Sequence, residues 1–210
     1  MRRVSAREQS TEMDHETRPP APPYRDEGPH ALWHVSEDPT IEVFRPHRAA
    51  TALEDDELVW AIDTRHVPMF WFPRDCPRGC AWASDRTSPE DVERFFGHTD
   101  ARRIHVIEGA WLARMQACRL YAYRVPDEPF VRHSVGGYWV ATDTVEPLEL
   151  VEVGDLLQRH ADAGIELRIS PSIWTWWIEV ARSTLDFSGS RLRNCTVPMP
   201  EELAARYPSS

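Results

Sequence analysis

Residues 60–78, WAIDTRHVPMFWFPRDCPR, constrain this chain more than any other stretch. Asp63, Arg65, His66, Arg74, Asp75, Cys76 and Arg78 stand there among Trp60, Phe70, Trp71 and Phe72. Pro68, Pro73 and Pro77 stiffen the backbone between them. Charged side chains are rarely fully buried unless they are paired. This stretch therefore builds either the wall of a polar pocket or a buried knot of ion pairs, and the sequence leaves both open.

The 210 residues, 41% of them hydrophobic, suffice for one core. We expect a disordered or extended tail over residues 1–29, because the polar, proline-rich run ending in TRPPAPPYRDEGP cannot bury apolar surface. A single domain over 30–197 and a C-terminal tail over 198–210 complete the expected organisation. The net charge of -10 argues against general nucleic-acid binding, which needs a basic field to displace counterions. No run of about 20 apolar residues marks a membrane span. MRRVSAREQSTEMDHE lacks the apolar region of a signal peptide. Reduced thiols in a cytoplasm are thus the expectation for Cys76, Cys80, Cys118 and Cys195. Oligomeric state is not encoded in any readable pattern.

Local signals predict strands with scattered short helices. Strand patterns occur at ALWHVS (31–36), Leu58–Ile62, RRIHVIE (102–108), CRLYAYRV (118–125), GYWVATD, LELVEV, IELRI and SRLRNC. EDPT (37–40) reads as a turn and IEVFRP (41–46) as extended, and Glu54, Asp55, Asp56 and Glu57 read as a solvated loop. TSPEDVERFFG carries full helix punctuation, with Ser88 as N-cap, Pro89 at the first position, Glu90 and Asp91 in the first turn and Gly97 as the stop. EGAWLARMQA and VGDLLQRHADAG read as further helices, the latter ending at Gly164. PSIWTWWIEVARSTLD places Trp174, Trp177, Ile178, Ala181 and Leu185 on one stripe, a core face rather than a ligand cage. Without βαβ alternation the fold class is α+β, with a mixed, largely antiparallel sheet and short flanking helices.

Several groups of residues are candidates for ligand contact. On a strand, His34 and Ser36 share a face, which suits a ligand in a cleft; the alternative is a core histidine satisfied by a backbone carbonyl. Asp63 and His66 form an acid–base pair if Asp63 orients the imidazole; the alternative is a turn in which Asp63 caps and His66 lies at the surface. Arg74 and Arg78 offer rigid forks for carboxylate or phosphate, and Arg74 beside Asp75 is equally suited to a structural ion pair. Cys76 has cations nearby but no identifiable base, so it does not read as a nucleophile. Cys76 and Cys80 alone do not make a zinc site, and His105 and Glu108, three apart on a strand, face opposite sides; no metal is expected. Gly136 and Gly137 suit a hairpin or bulge, and Tyr138 or Trp139 either packs in the core or stacks on a flat ligand.

The strings LWHVSEDPTIEVFRP, WAIDTRHVPMFWFPRDCPR, RRIHVIEGAWL and GYWVATDTVEPLELVEVGDLL, with GIELRI before the Trp-rich helix, resemble a family of bacterial proteins of unknown function over about residues 31–195. Leu32-Trp33-His34-Val35-Ser36 also resembles the first strand of ADP-ribosyltransferase-like folds, including the RNA 2'-phosphotransferase-like members. That likeness implies His34 on the ribose of a nicotinamide nucleotide, hence NAD or a related nucleotide as ligand. Val59–Asp63, Tyr138–Ala141 and Leu148–Val153 would then be later strands of that fold; Tyr138 and Trp139 stand where those proteins carry their catalytic glutamate. Two functions follow. One is an enzyme or enzyme-derived pocket for a nucleotide-like or other anionic small molecule, contacted by His34, Ser36, Asp63, His66, Arg74, Asp75, Arg78 and Tyr138. The other is a non-catalytic binding module or partner subunit in which those polar groups form a buried network.

Overall fold

A computed structural model describes residues 31–48, 57–133 and 137–201. The expected tail over 1–29, the acidic residues Glu54, Asp55 and Asp56, Gly136 and residues 202–210 lie outside this set. The described residues contain ten strands: β1 (Leu32–Ser36), β2 (Val59–Asp63), β3 (Arg78–Trp82), β4 (Arg103–Glu108), β5 (Tyr121–Val125), β6 (Val131–Arg132), β7 (Tyr138–Ala141), β8 (Glu149–Glu152), β9 (Ile165–Ser170) and β10 (Asp186–Ser190). They also contain four α-helices, α1 (Pro89–Phe96), α2 (Leu112–Ala117), α3 (Leu156–Asp162) and α4 (Trp174–Arg182). The fold is α+β with two mostly antiparallel sheets. The chain forms two compact units, residues 31–68 with 121–152 and residues 69–120 with 153–201. The 60–78 motif is divided between them after Pro68.

The first unit is a six-stranded sheet in the order β6-β7-β2-β1-β5-β8, antiparallel throughout. Leu32, Val59, Ala61, Tyr123, Val125 and Ala141 pack on one face beneath Phe44 and Val145, whose main chains bridge in both directions at 2.8 and 2.9 Å. The turn after β1 is held locally. Ser36 Oγ accepts the Asp38 N–H at 3.1 Å, and Asp38 Oδ1 accepts the N–H and hydroxyl of Thr40 at 2.8 and 2.7 Å. These bonds from Thr40 hold the Asp38 carboxyl below its ordinary pKa. The Tyr123 hydroxyl donates to Asp38 O at 2.6 Å and accepts the Ile41 N–H at 3.1 Å, tying the turn back to β5.

The second unit is a four-stranded sheet, β10-β3-β4-β9, antiparallel except for the parallel pair β4–β9. Helix α1 starts as its punctuation predicts, with Ser88 Oγ accepting the Asp91 N–H at 3.2 Å. Asp91 in turn accepts the N–H and hydroxyl of Thr184 at 2.7 and 2.6 Å, which keep its carboxyl pKa low. Helix α3 is capped by Asp155, and Gly164 stands just beyond it at φ 64°, in the left-handed region that favours glycine.

One face of this sheet carries α1 and α4, with Phe95, Phe96, Trp174, Trp177, Val180 and Leu185 around Ala81, Ile104 and Val106. Of the predicted stripe, Trp174 and Trp177 are buried on α4 and Leu185 is buried just beyond its end, while Ile178 and Ala181 are half-buried and Val180 takes a core position. The indoles lie on glycines. A Cβ at Gly79 would stand 2.5 Å from Trp176 Cζ3, and one at Gly189 would stand 2.6 Å from Trp177 Cη2.

This packing explains two departures from the sequence reading. Strand β3 carries no readable strand signal because Pro77 and Gly79 flank its first residue, Arg78, yet that glycine makes room for an indole. The last strand among the described residues is Asp186–Ser190, which sets Gly189 under Trp177, and not SRLRNC. Arg191 turns to φ 56°, and Leu192–Asn194 coils as a 3-10 turn.

Trp177→Ala should lower unfolding stability by about 3–5 kcal/mol, as loss of a buried aromatic does. Trp176→Ala, at a half-buried position, should cost less. Urea unfolding of both variants checks this, and equal, small losses would contradict the packing described.

Candidate functional site

In the first unit, register settles which candidates share a surface. Leu32, His34 and Ser36 alternate onto one face of β1, and directly paired residues of neighbouring strands share a face. Leu32 pairs with Asp63, His34 with Tyr123 and Ser36 with Tyr121, so these side chains lie together. Tyr138 pairs with Ile62 and belongs to the opposite face, where its ring meets Trp60 edge-on at 5.7 Å.

His34 is half-buried, and its Nδ1 lies 2.9 Å from the Trp60 carbonyl oxygen. A carbonyl only accepts, so Nδ1 carries a proton and donates it. The ring packs on Phe44 at 4.5 Å between centroids. An imidazole with one nitrogen anchored by main chain presents the other in a defined orientation.

Asp63 and His66 are buried, at 1% and 6% exposure, so His66 is not the surface residue that a simple turn would make it. Asp63 Oδ1 accepts the His66 N–H at 2.9 Å and lies 2.7 Å from His66 Nδ1. The carboxyl group therefore caps the turn and orients the imidazole at once. Above them stands Gly137, at φ 79°, in the connection between β6 and β7. Its carbonyl accepts the Asp63 N–H at 3.2 Å, and a Cβ there would collide with the His66 ring. Thr64 extends the network, accepting the Trp33 indole N–H and donating to Ala31 O, both at 3.0 Å.

In the second unit, Arg74 and Asp75 are exposed in the turn before β3. Their main-chain carbonyls accept Arg191 Nε at 3.2 Å and Asn194 Nδ2 at 2.8 Å. Arg78 is buried, at 4% exposure. It donates to the Met69 and Cys76 carbonyls at 3.1 and 3.2 Å, and its guanidinium lies 5.3 and 5.5 Å from the Phe70 and Phe72 rings. Arginine's fork here staples the proline-rich turn to the strand that follows it. Burial pushes the thiols of Cys76, Cys80 and Cys195 up to about 12, so they remain protonated and unreactive at neutral pH. None of the four cysteines is in a disulfide. No group of three or more His, Cys, Asp or Glu side chains suited to a metal occurs among the described residues, and none of their helices is long and apolar enough to cross a membrane.

The sequence reading missed a buried histidine pair in this unit. His160 Nδ1 lies 2.6 Å from the Leu156 carbonyl oxygen, so that nitrogen carries the proton. Its Nε2 then accepts from His105 Nδ1 at 3.1 Å. Phe72 and Trp71 enclose the pair. Burial lowers both pKa values, His160 to about 4 and His105 well below its ordinary value, where the neighbouring His160, Arg103 and Arg78 reinforce the effect. The available signal was helical spacing, since His160 lies one turn after buried Leu156 on α3. His105, 55 positions earlier, has no local mark.

A family model described as a family of unknown function (DUF6886) matches residues 33–195, and the chain belongs to that family. No curated protein and no solved structure matches it.

Two outcomes follow from these buried groups. Unfolded histidines titrate near 6.5, whereas the folded pair resists protonation. The neutral pair therefore contributes stability above pH 6.5 that is lost as pH falls from 6.5 through about 4. Urea midpoints should drop across that window, and the drop should shrink in His105→Phe/His160→Leu; an unchanged slope would contradict the assignment. Separately, Asp63→Ala should cost about 1–3 kcal/mol, as leaving buried donors without their acceptor does; calorimetry showing no loss would make the pair incidental.

Proposed function

We propose that this family member is a small-molecule-binding protein whose six-stranded unit holds a nucleotide-like ligand through His34, with Asp63 and His66 framing the site rather than reacting. The observation that carries this reading is the anchored imidazole. Its Nδ1 is held by the Trp60 carbonyl at 2.9 Å, which fixes the orientation of a half-buried ring of a type suited to a ligand hydroxyl such as that of a ribose. The ADP-ribosyltransferase-like pattern of Leu32–Ser36 supports the same role, and Tyr121 and Tyr123 share His34's face. Ser36 serves in this reading by holding the adjacent turn through the Asp38 N–H.

Binding without turnover is the form we favour. The Asp63–His66 pair has acid–base geometry but is sealed, and Tyr138 and Trp139 occupy the positions where the resembled transferases carry glutamate. Arg78 is likewise committed to main-chain carbonyls. The same burial favours a second reading, a partner subunit in which this network serves structure alone.

A thermal-shift panel of nucleotides that includes NAD and ADP-ribose separates the two. A ligand at 100 times its Kd adds about 2.7 kcal/mol of stability, roughly 5–10 °C for a chain of this size. His34→Ala should remove the shift while melting cooperatively near the parent. If no nucleotide stabilises the parent, the partner-subunit reading stands instead; if His34→Ala keeps the full shift, the ligand is held elsewhere and the role of His34 is overturned.

A further inference from the structure

We infer a second small-molecule site in the other unit, a cleft that takes a flat ring bearing one anionic group, a carboxylate or a phosphate monoester. The cleft has a volume of about 560 Å³, within the range of drug-sized ligand sites. It lies between the last turn of α1, the first turns of α4 and the end of β9. Phe95, Pro171 and Trp176 give it apolar walls, and Ser170, Ser172 and Thr175 add hydroxyls. Trp176 is fixed by its seat on Gly79, where no side chain would fit, so its indole is a preorganised surface for a ring. Its N–H is shielded from water and has no acceptor among the described residues.

The charge of the lining selects the ligand. Two arginines, Arg94 and Arg168, line the cleft beside a single lining carboxylate, Glu179. Neither arginine is locked away, since their side chains are 50% and 37% exposed. Arg94 pairs with Glu179, and Arg168 donates to Glu166 at 2.7 Å. Exposed pairs of this kind are weak and exchange readily. Each carboxylate also keeps a partner when its arginine turns to a ligand. Glu179 retains Arg182 at 3.9 Å, and Glu166 retains the Thr99 side chain. An incoming anion therefore strands no charge, and the arginine forks suit planar two-oxygen recognition.

Saturation-transfer NMR on the full chain tests this with 2-naphthoate, 2-naphthyl phosphate and uncharged 2-naphthamide. At least one of the two anions should bind saturably, the tighter one naming the anion preferred, and the amide about tenfold or more weaker. Arg94→Gln and Arg168→Gln should each weaken the anion about tenfold or more. Arg168→Lys, which keeps the charge and loses the fork, should fall between, and serves if a glutamine variant fails to fold. His34→Ala should leave this binding unchanged, which separates it from the nucleotide reading. Equal binding of anion and amide, no saturable binding at millimolar ligand, or unaltered affinity in folded arginine variants would each overturn the site.

Discussion

Asp63 has 1% of its surface exposed, and one end of the six-stranded sheet is arranged around satisfying it. A buried carboxyl group without partners costs several kcal/mol. The chain answers with the His66 main-chain N–H and the His66 ring on one oxygen, and it closes the ring from above with the only residue type that fits, Gly137. These contacts link the end of β2 to the β6–β7 connection. The same strand β2 pairs with β1, whose His34 takes its anchor from the β2 residue Trp60. The proposed ligand contact and the buried polar network thus share one strand.

The second unit solves a different problem by a related route. Helix α4 must bring large indoles onto a sheet, and the sheet makes room by losing side chains at Gly79 and Gly189. Dense packing of this kind tolerates little change in volume. On the other face of β3, the side chain of buried Arg78 is spent on main-chain carbonyls and aromatic faces. The paired imidazoles of His105 and His160 stay neutral because they are buried, and a directed chain of hydrogen bonds runs from His105 through His160 to the Leu156 carbonyl.

What could be read in advance was what is local. The Ser88 cap and the His34/Ser36 alternation depend on a few neighbouring residues, and the structure reproduces both. The Asp63–His66 pairing was readable as an i, i+3 spacing, but its burial was not, because that depends on Gly137 arriving from a distant hairpin. Strand β3 looked irregular for want of side chains that only the tryptophans of α4 explain. Opposite alternatives for Arg74 and Arg78 had equal standing in the sequence. The fold separates them, leaving Arg74 exposed and Arg78 buried, since only Arg78 lies on a strand buried along its whole length.

Long-range ¹⁵N–¹H spectra of the histidine rings, recorded at neutral pH with and without ADP-ribose, address the central claim most directly. His34, His105 and His160 should all appear as neutral rings protonated on Nδ1. Only the Nε2 resonance of His34 should move as ADP-ribose saturates, while those of the buried pair stay fixed. A His34 ring protonated on Nε2, or one indifferent to ligand while other histidines respond, would contradict an anchored imidazole as the ligand contact.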